Sequence, residues 1–145
     1  MKDYLNKLRK DYSMMVLDEK DVNQDAVVQL EKWLVDAANA EVNEPNAMVL
    51  GTVDKYNKPH SRIVLLRDIN SNGLTFYSNY TSSKAEDIEY QPMVSLNFFW
   101  CELERQVRVE GKTQKLTVVE STEYFRARPR ESQISSWASP QSKVL

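Results

Sequence analysis

The hydrophobic period of this chain changes at Pro45, and that change limits the possible folds more than any other feature. Before it, Val27, Leu30, Trp33, Leu34, Ala37 and Ala38 recur three and four residues apart between Asp25 and Glu41. This is the spacing of an amphipathic helix whose acids face solvent, and Pro45 suits a stop beyond its end. After Pro45 the apolar residues alternate. NAMVLGTVD (46–54) and SRIVLLRDI (61–69) flank the turn signal YNKP and predict a hairpin, and NSNG (70–73) predicts a second turn into LTFYSN (74–79). SSKAEDIEY (82–90) reads as a short helix, capped by Ser82 or Thr81 and stopped before Pro92. MVSLNFFW (93–100) and LERQVRVEGKTQKL (103–116) add two strands, and TVVESTEYFRAR (117–128) reads as helical up to Pro129. Five strands joined mostly by short turns imply a mainly β fold with flanking helices. The strands would form an antiparallel meander closing into a small barrel to hide its edges, not a parallel sheet.

Composition sets the boundaries of function. A chain of 145 residues is one domain, long enough to bury roughly 68–70% of its unfolded surface without metal or disulfide. Residues 25–145 make up that domain; 1–24, of mixed charge and without a period, read as a flexible arm. Lys and Arg number 19 against 21 Asp and Glu, a formal net charge of −2, which argues against nucleic acid as a partner. The single His60 and single Cys101 cannot form a Cys/His zinc site or an intrachain disulfide. One cysteine, an N-terminus (MKDYLNKLRKDYSMM) without the apolar stretch of a signal peptide, and no apolar run long enough to span a bilayer imply a cytoplasmic protein with no membrane partner. His60, in YNKPHSR, reads as an exposed loop residue rather than a member of a catalytic triad. Gly51, Gly73 and Gly111 are the only glycines. They spell neither GxGxxG nor a P-loop, so any bound phosphate must be gripped by side chains.

Three clusters could supply that grip. Arg62 and Arg67 bracket IVLL in one strand. Arg62 shares parity with Val64 and Leu66, whereas Arg67 goes with Ile63 and Leu65, so a regular strand aims the two guanidiniums at different sites. The competing reading makes both strand-end charges that reach solvent. In ELERQVRVEG, Glu104, Gln106, Arg108 and Glu110 share a face; such a face is ordinarily solvated, but the Gln106 carboxamide both donates and accepts and suits an imide edge. In YFRARPRESQISSW, Tyr124 and Arg128 stand one helical turn apart with Ser132 four residues on, a phenol, a guanidinium and a hydroxyl suited to phosphate. Pro129 pushes Arg128 toward an extended conformation. An exposed basic turn is the alternative.

Taken in order, RKDY (9–12), RIVLLR (62–67), TFYSN with SSKA, LERQV, YFRARPRESQISSW and SPQS (139–142) closely resemble the pyridoxamine 5'-phosphate oxidase family. The resemblance covers almost the whole chain. It implies an FMN-binding split β-barrel and a homodimer with FMN at the subunit interface. The implied reaction is oxidation of pyridoxamine or pyridoxine 5'-phosphate to pyridoxal 5'-phosphate, by hydride transfer from C4' to the flavin and reoxidation by oxygen. Carried over by position, FMN would contact Arg62, Ile63, Val64, Leu65, Leu66, Arg67, Tyr77, Ser78, Ser83, Lys84, Gln106, Gln141 and Ser142. The phosphorylated B6 vitamer would meet Arg67, Tyr124, Arg128 and Ser132, with Arg9, Lys10, Asp11 and Tyr12 as a mobile segment near the pocket.

Two positions depart from the family. Arg67 replaces a common Lys, keeping charge but changing donor geometry, and Ser83 stands where an Arg often precedes the lysine, which predicts weaker FMN binding. The family also continues beyond the Gln-Ser block with residues placed over the substrate ring. The resemblance therefore implies that this chain is most of a longer enzyme, and no catalytic residue is assigned. An FMN-binding protein without turnover, or a related flavoenzyme with another substrate, are the alternatives.

Overall fold

The computed structural model describes residues 1–8, 11, 17–138 and 142. Helix α1 (Lys2–Lys7) and a 3₁₀ turn at Glu19–Asp21 precede α2 (Ala26–Asn39). Asp25 caps α2, its carboxylate accepting from the Val27 and Val28 amides at 2.8 and 3.4 Å. The apolar stripe does what its spacing predicts at Leu30 and Ala37, which are buried, and the chain leaves the helix through Glu41 at φ 55°.

Five strands follow: β1 (Ala47–Val53), β2 (Pro59–Asn70), β3 (Gly73–Phe76), β4 (Met93–Trp100) and β5 (Arg105–Lys112). Their order in the sheet is β3-β2-β1-β4-β5, every pair antiparallel. The expected meander is corrected at one junction. The β3 to β4 connection carries α3 (Ser83–Tyr90) and is long enough to bring β4 back against β1, with Val49 opposite Asn97 and Gly51 opposite Ser95. The result is a curled half-barrel whose ladder ends at β3 and β5. Gly51 gives a close approach at the β1–β4 seam: a Cβ there would lie 2.5 Å from Ser95 Oγ, so the serine hydroxyl would have to turn aside.

Alternation puts one face of the sheet into the core. Met48 and Leu50 of β1, Val64 and Leu66 of β2, and Leu96, Phe98 and Trp100 of β4 meet Leu30 and Ala37 of α2. Each of the larger aliphatic and phenyl side chains contributes about 1.5–3 kcal/mol on leaving water. Two polar links fix α2 and its exit to the sheet. Arg105 pairs with Asp36 at 2.8 Å and lies 5.0 Å over the Trp33 ring, and Trp100 Nε1 donates to Pro45 O at 2.9 Å. The other face leaves Ile63 62% and Phe99 60% exposed.

Beyond the sheet, α4 (Val118–Ala127) opens with a capping box. Glu120 N donates to Thr117 Oγ1 at 3.3 Å, and Thr117 N donates to Glu120 Oε2 at 2.9 Å. A further helix, α5 (Arg130–Ala138), starts directly after Pro129, where the residue pattern predicts none. Ser82 does precede α3, but its hydroxyl donates to Asn79 O at 2.7 Å and does not cap the helix. His60 is also corrected: it sits half-buried in β2 with Nε2 3.3 Å from Asp54 Oδ2.

Candidate anion sites on the two faces of strand β2

Strand β2 alternates between faces as its sequence parity predicts. Arg62 lies on the core face with buried Val64 and Leu66, and Arg67 is exposed on the other side of a register shift between Leu66 and Asp68. The side chains of Val64 and Leu66 are committed to the core, whereas Ile63 and Leu65 point away from it.

Arg62 is held by a buried network. Its Nη1 donates to Thr52 Oγ1 at 2.6 Å, Leu50 O at 3.2 Å and His60 O at 3.3 Å. Its Nη2 lies 3.4 Å from Asp87 Oδ2, and that same oxygen accepts from Thr52 Oγ1 at 2.6 Å. Asp87 reaches the network from α3, one turn after Lys84. Burial, and after it the Arg62 charge, pushes the Lys84 ammonium below the ordinary lysine value. Two cations thus converge beside the start of α3, where Ser83 is exposed and Ser78 Oγ lies 3.5 Å from Ser82 Oγ.

The second arrangement is a cleft of about 2360 Å³ that Arg67, Tyr77, Ser78, Tyr124 and Arg128 help to line. Tyr77, just after β3, and Tyr124, on α4, stack with parallel rings at 3.4 Å. Burial, followed by the neighbouring Tyr124, raises the Tyr77 phenol above its ordinary value, so it stays protonated at neutral pH. Arg128 leaves α4 in an extended conformation, φ −69° and ψ 147°, as Pro129 demands. That turn sends its Nη1 to Ser136 Oγ at 2.6 Å. The hydroxyl beside Arg128 is therefore Ser136, one turn beyond Ser132, whose backbone carbonyl accepts from Ser136 Oγ at 2.8 Å. Among the described residues Arg67 has no ion-pair partner.

Gln106 lies on the exposed face of β5, with Nε2 donating to Asn97 Oδ1 at 2.8 Å. It is on the opposite side of the sheet from Arg62, with β1 and β4 between their strands. Asp11 and Ser142 are exposed. Arg9, Lys10, Tyr12 and Gln141 lie outside the described residues. Sequence reasoning missed Thr52, Asp87 and Ser136. The available signals were the i, i+3, i+4 face shared by Lys84, Asp87 and Ile88, and the one-turn spacing of Ser132 and Ser136.

Similarity to known proteins points the same way. The family model described as pyridoxamine 5'-phosphate oxidase matches residues 34–145. A pyridoxine/pyridoxamine 5'-phosphate oxidase of Mannheimia succiniciproducens is 48% identical over 97% of this chain and 67% of its own length. One from Haemophilus influenzae is 46% identical with the same coverage, so the chain spans about two thirds of these relatives. Among solved structures, PhzG from Burkholderia lata, in complex with tetrahydrophenazine-1-carboxylic acid, superposes with a TM-score of 0.85 at 27% identity, over 90% of this chain and 65% of that one. A pyridoxamine 5'-phosphate oxidase-related, FMN-binding protein from Nostoc punctiforme shares the fold, with a TM-score of 0.68 at 14% identity over 86% of this chain and 69% of that one. With its core strands, both arginine positions and the helices around the cleft all inside the matched region, the chain belongs to the pyridoxamine 5'-phosphate oxidase family.

Proposed function

We propose that the chain acts as an FMN-dependent oxidase of pyridoxamine or pyridoxine 5'-phosphate, producing pyridoxal 5'-phosphate with oxygen as the electron acceptor. The observation that carries this reading is the pair of cationic sites on opposite faces of one strand. A flavin nucleotide and a phosphorylated vitamer each bring a phosphate, and β2 offers Arg62 to one and Arg67 to the other. The donor set fits FMN: Arg62 and Lys84 converge, and the depressed Lys84 is a cation that gains from an added anion. The three glycines are too few and too scattered for a main-chain cradle, which suits a phosphate held by side chains.

When bound, FMN supplies the two-electron acceptor for oxidation at C4', and oxygen restores it. The chain's own residues bind and orient. Arg62 and Lys84 hold the flavin phosphate, with the Ser78 and Ser83 hydroxyls beside them, and Gln106 offers a donor and an acceptor to the ring edge. Arg67, Tyr124 and Arg128 hold the vitamer phosphate in the cleft, and Ser132 and Ser136 stand on the helix that faces Arg128. Anchoring the phosphate fixes C4' against the flavin, which converts a bimolecular encounter into a positioned one. Because Gln106 and Arg62 lie on opposite faces, one flavin touches both only when a second copy contributes one of them. The exposed Ile63, Met93 and Phe99 on the Gln106 face supply an apolar surface for that homodimer.

The test is direct. Protein supplied with excess FMN should consume oxygen and form pyridoxal 5'-phosphate from at least one of the two substrates. Bound FMN without turnover on either would refute the oxidase reading and leave a flavin-binding protein. The similarity to PhzG, solved with tetrahydrophenazine-1-carboxylic acid, favours a second reading, a related flavoenzyme whose substrate is a cyclic carboxylic acid and not a phosphorylated vitamer. Turnover that survives Arg128→Ala and does not need a substrate phosphate would favour it.

A further inference from the structure

We propose that Asp87 is a positioning residue of the flavin phosphate site, one that aims Arg62 through Thr52 and restrains the positive charge offered to the phosphate. This rests on the FMN reading above. The starting point is an acid where an anion site should not want one. The Asp87 side chain is only 8% exposed and lies against Arg62, one helical turn from Lys84.

The geometry explains its presence. The Thr52 hydroxyl has one hydrogen, and its 2.6 Å bond to Asp87 Oδ2 uses it. The Thr52 lone pairs are thereby turned to Arg62, whose Nη1 donates to the same oxygen at 2.6 Å. With Leu50 O and His60 O also accepting, Nη1 is fastened on three sides. Among the described residues, Nη2 is held by Asp87 alone, at 3.4 Å. That is longer than the ~2.7–2.9 Å of a firm charge-assisted bond. The guanidinium is thus fixed by one amino group and presents the other. Asp87 performs two tasks with opposite effects on phosphate affinity: as an acceptor it orders the Thr52–Arg62 relay, and as a charge it opposes a second anion.

Two substitutions separate those tasks. Asp87→Asn keeps an acceptor for Thr52 and removes the charge. Thr52→Val keeps the volume and removes the relay. Each full-length variant is titrated with FMN and, in parallel, with riboflavin, which has the same ring and no phosphate; flavin fluorescence reports both. Asp87→Asn should tighten FMN about three- to tenfold, the scale of one like charge near a partly screened site, and leave riboflavin unchanged. Thr52→Val should weaken FMN by a similar factor, again without moving riboflavin. A purely structural role for Asp87 would shift both ligands together or neither, and either result overturns the proposal. If Asp87→Asn does not fold, the Thr52→Val ratio of FMN to riboflavin affinity decides alone. Wild-type protein that fails to bind FMN removes the site reading itself and this inference with it, whereas wild-type binding with an unchanged ratio in both variants removes only the role of Asp87.

Discussion

Removing the Arg62 guanidinium should unbalance the buried network more than it disturbs packing. In Arg62→Met the aliphatic stem survives, but Asp87 keeps only its 2.6 Å bond from Thr52 among the contacts described above, and Leu50 O and His60 O each lose a donor. Breaking a fully buried ion pair costs about 3–5 kcal/mol, because the abandoned charge stays desolvated. Here the arginine side chain is 21% exposed and the ion contact is 3.4 Å. Discounting for that exposure and for the surviving Thr52 bond brings the expected loss to about 2–3 kcal/mol. Urea unfolding of the ligand-free protein, followed by tryptophan fluorescence, measures it; of the three tryptophans, Trp100, 2% exposed, contributes the core signal. The double variant Arg62→Met/Asp87→Asn should recover about 1–2 kcal/mol, since the orphaned charge is gone. A single variant within 0.5 kcal/mol of wild type, taken as about the scatter of such measurements, or a double variant that simply adds the two losses, would show that no such coupled network exists.

Three further outcomes follow from the same geometry. Because the Lys84 pKa is lowered in the folded chain, its protonation disfavours the fold below that pKa, and stability should rise as pH climbs from the folded value toward the unfolded one. FMN affinity should move the opposite way, falling over that alkaline window as the ammonium is lost, and titrations of Lys84→Gln should show a flatter pH profile. Arg128→Ala should weaken phosphorylated substrate by about 10- to 100-fold, the range of one charge-assisted contact, while leaving FMN affinity unchanged; steady-state KM and flavin titration read the two. Thr117→Ala should destabilise the protein by about 1 kcal/mol through loss of the α4 cap. It should also flatten the acid limb of stability, because the Thr117 hydroxyl and then its amide hold the Glu120 carboxyl below its ordinary value, a contribution present above the unfolded pKa and lost as pH falls through the folded one.

Much of the fold was legible because it is written in local period. The apolar spacing from Val27 to Ala37, the alternation after Pro45 and the turn residues between strands each report a choice made within a few residues. The pairing of β4 with β1 was not legible, since it is settled by the reach of the α3 connection and by the fit of Gly51 against Ser95, contacts between distant segments. Helix α5 escaped notice because Pro129 reads as a stop, while the residues after it are free to start again.

The candidate site divides along the same line. Strand parity separated Arg62 from Arg67 without any tertiary information, and Pro129 announced the extended Arg128. Asp87, Thr52 and Ser136 could not be placed, because their importance comes from what three separate elements bring beside the arginines. An acid on a short charged helix looks solvated until the sheet it packs on is known.

The most direct test of the central claim is a crystal structure of this chain with FMN and pyridoxal 5'-phosphate bound. The FMN phosphate should lie within hydrogen-bond reach of Arg62 Nη2 and Lys84 Nζ, and the second phosphate across β2 among Arg67, Tyr124 and Arg128. Both phosphates on one face of β2, or an FMN phosphate that leaves Arg62 bound only to Thr52 and Asp87, would contradict it.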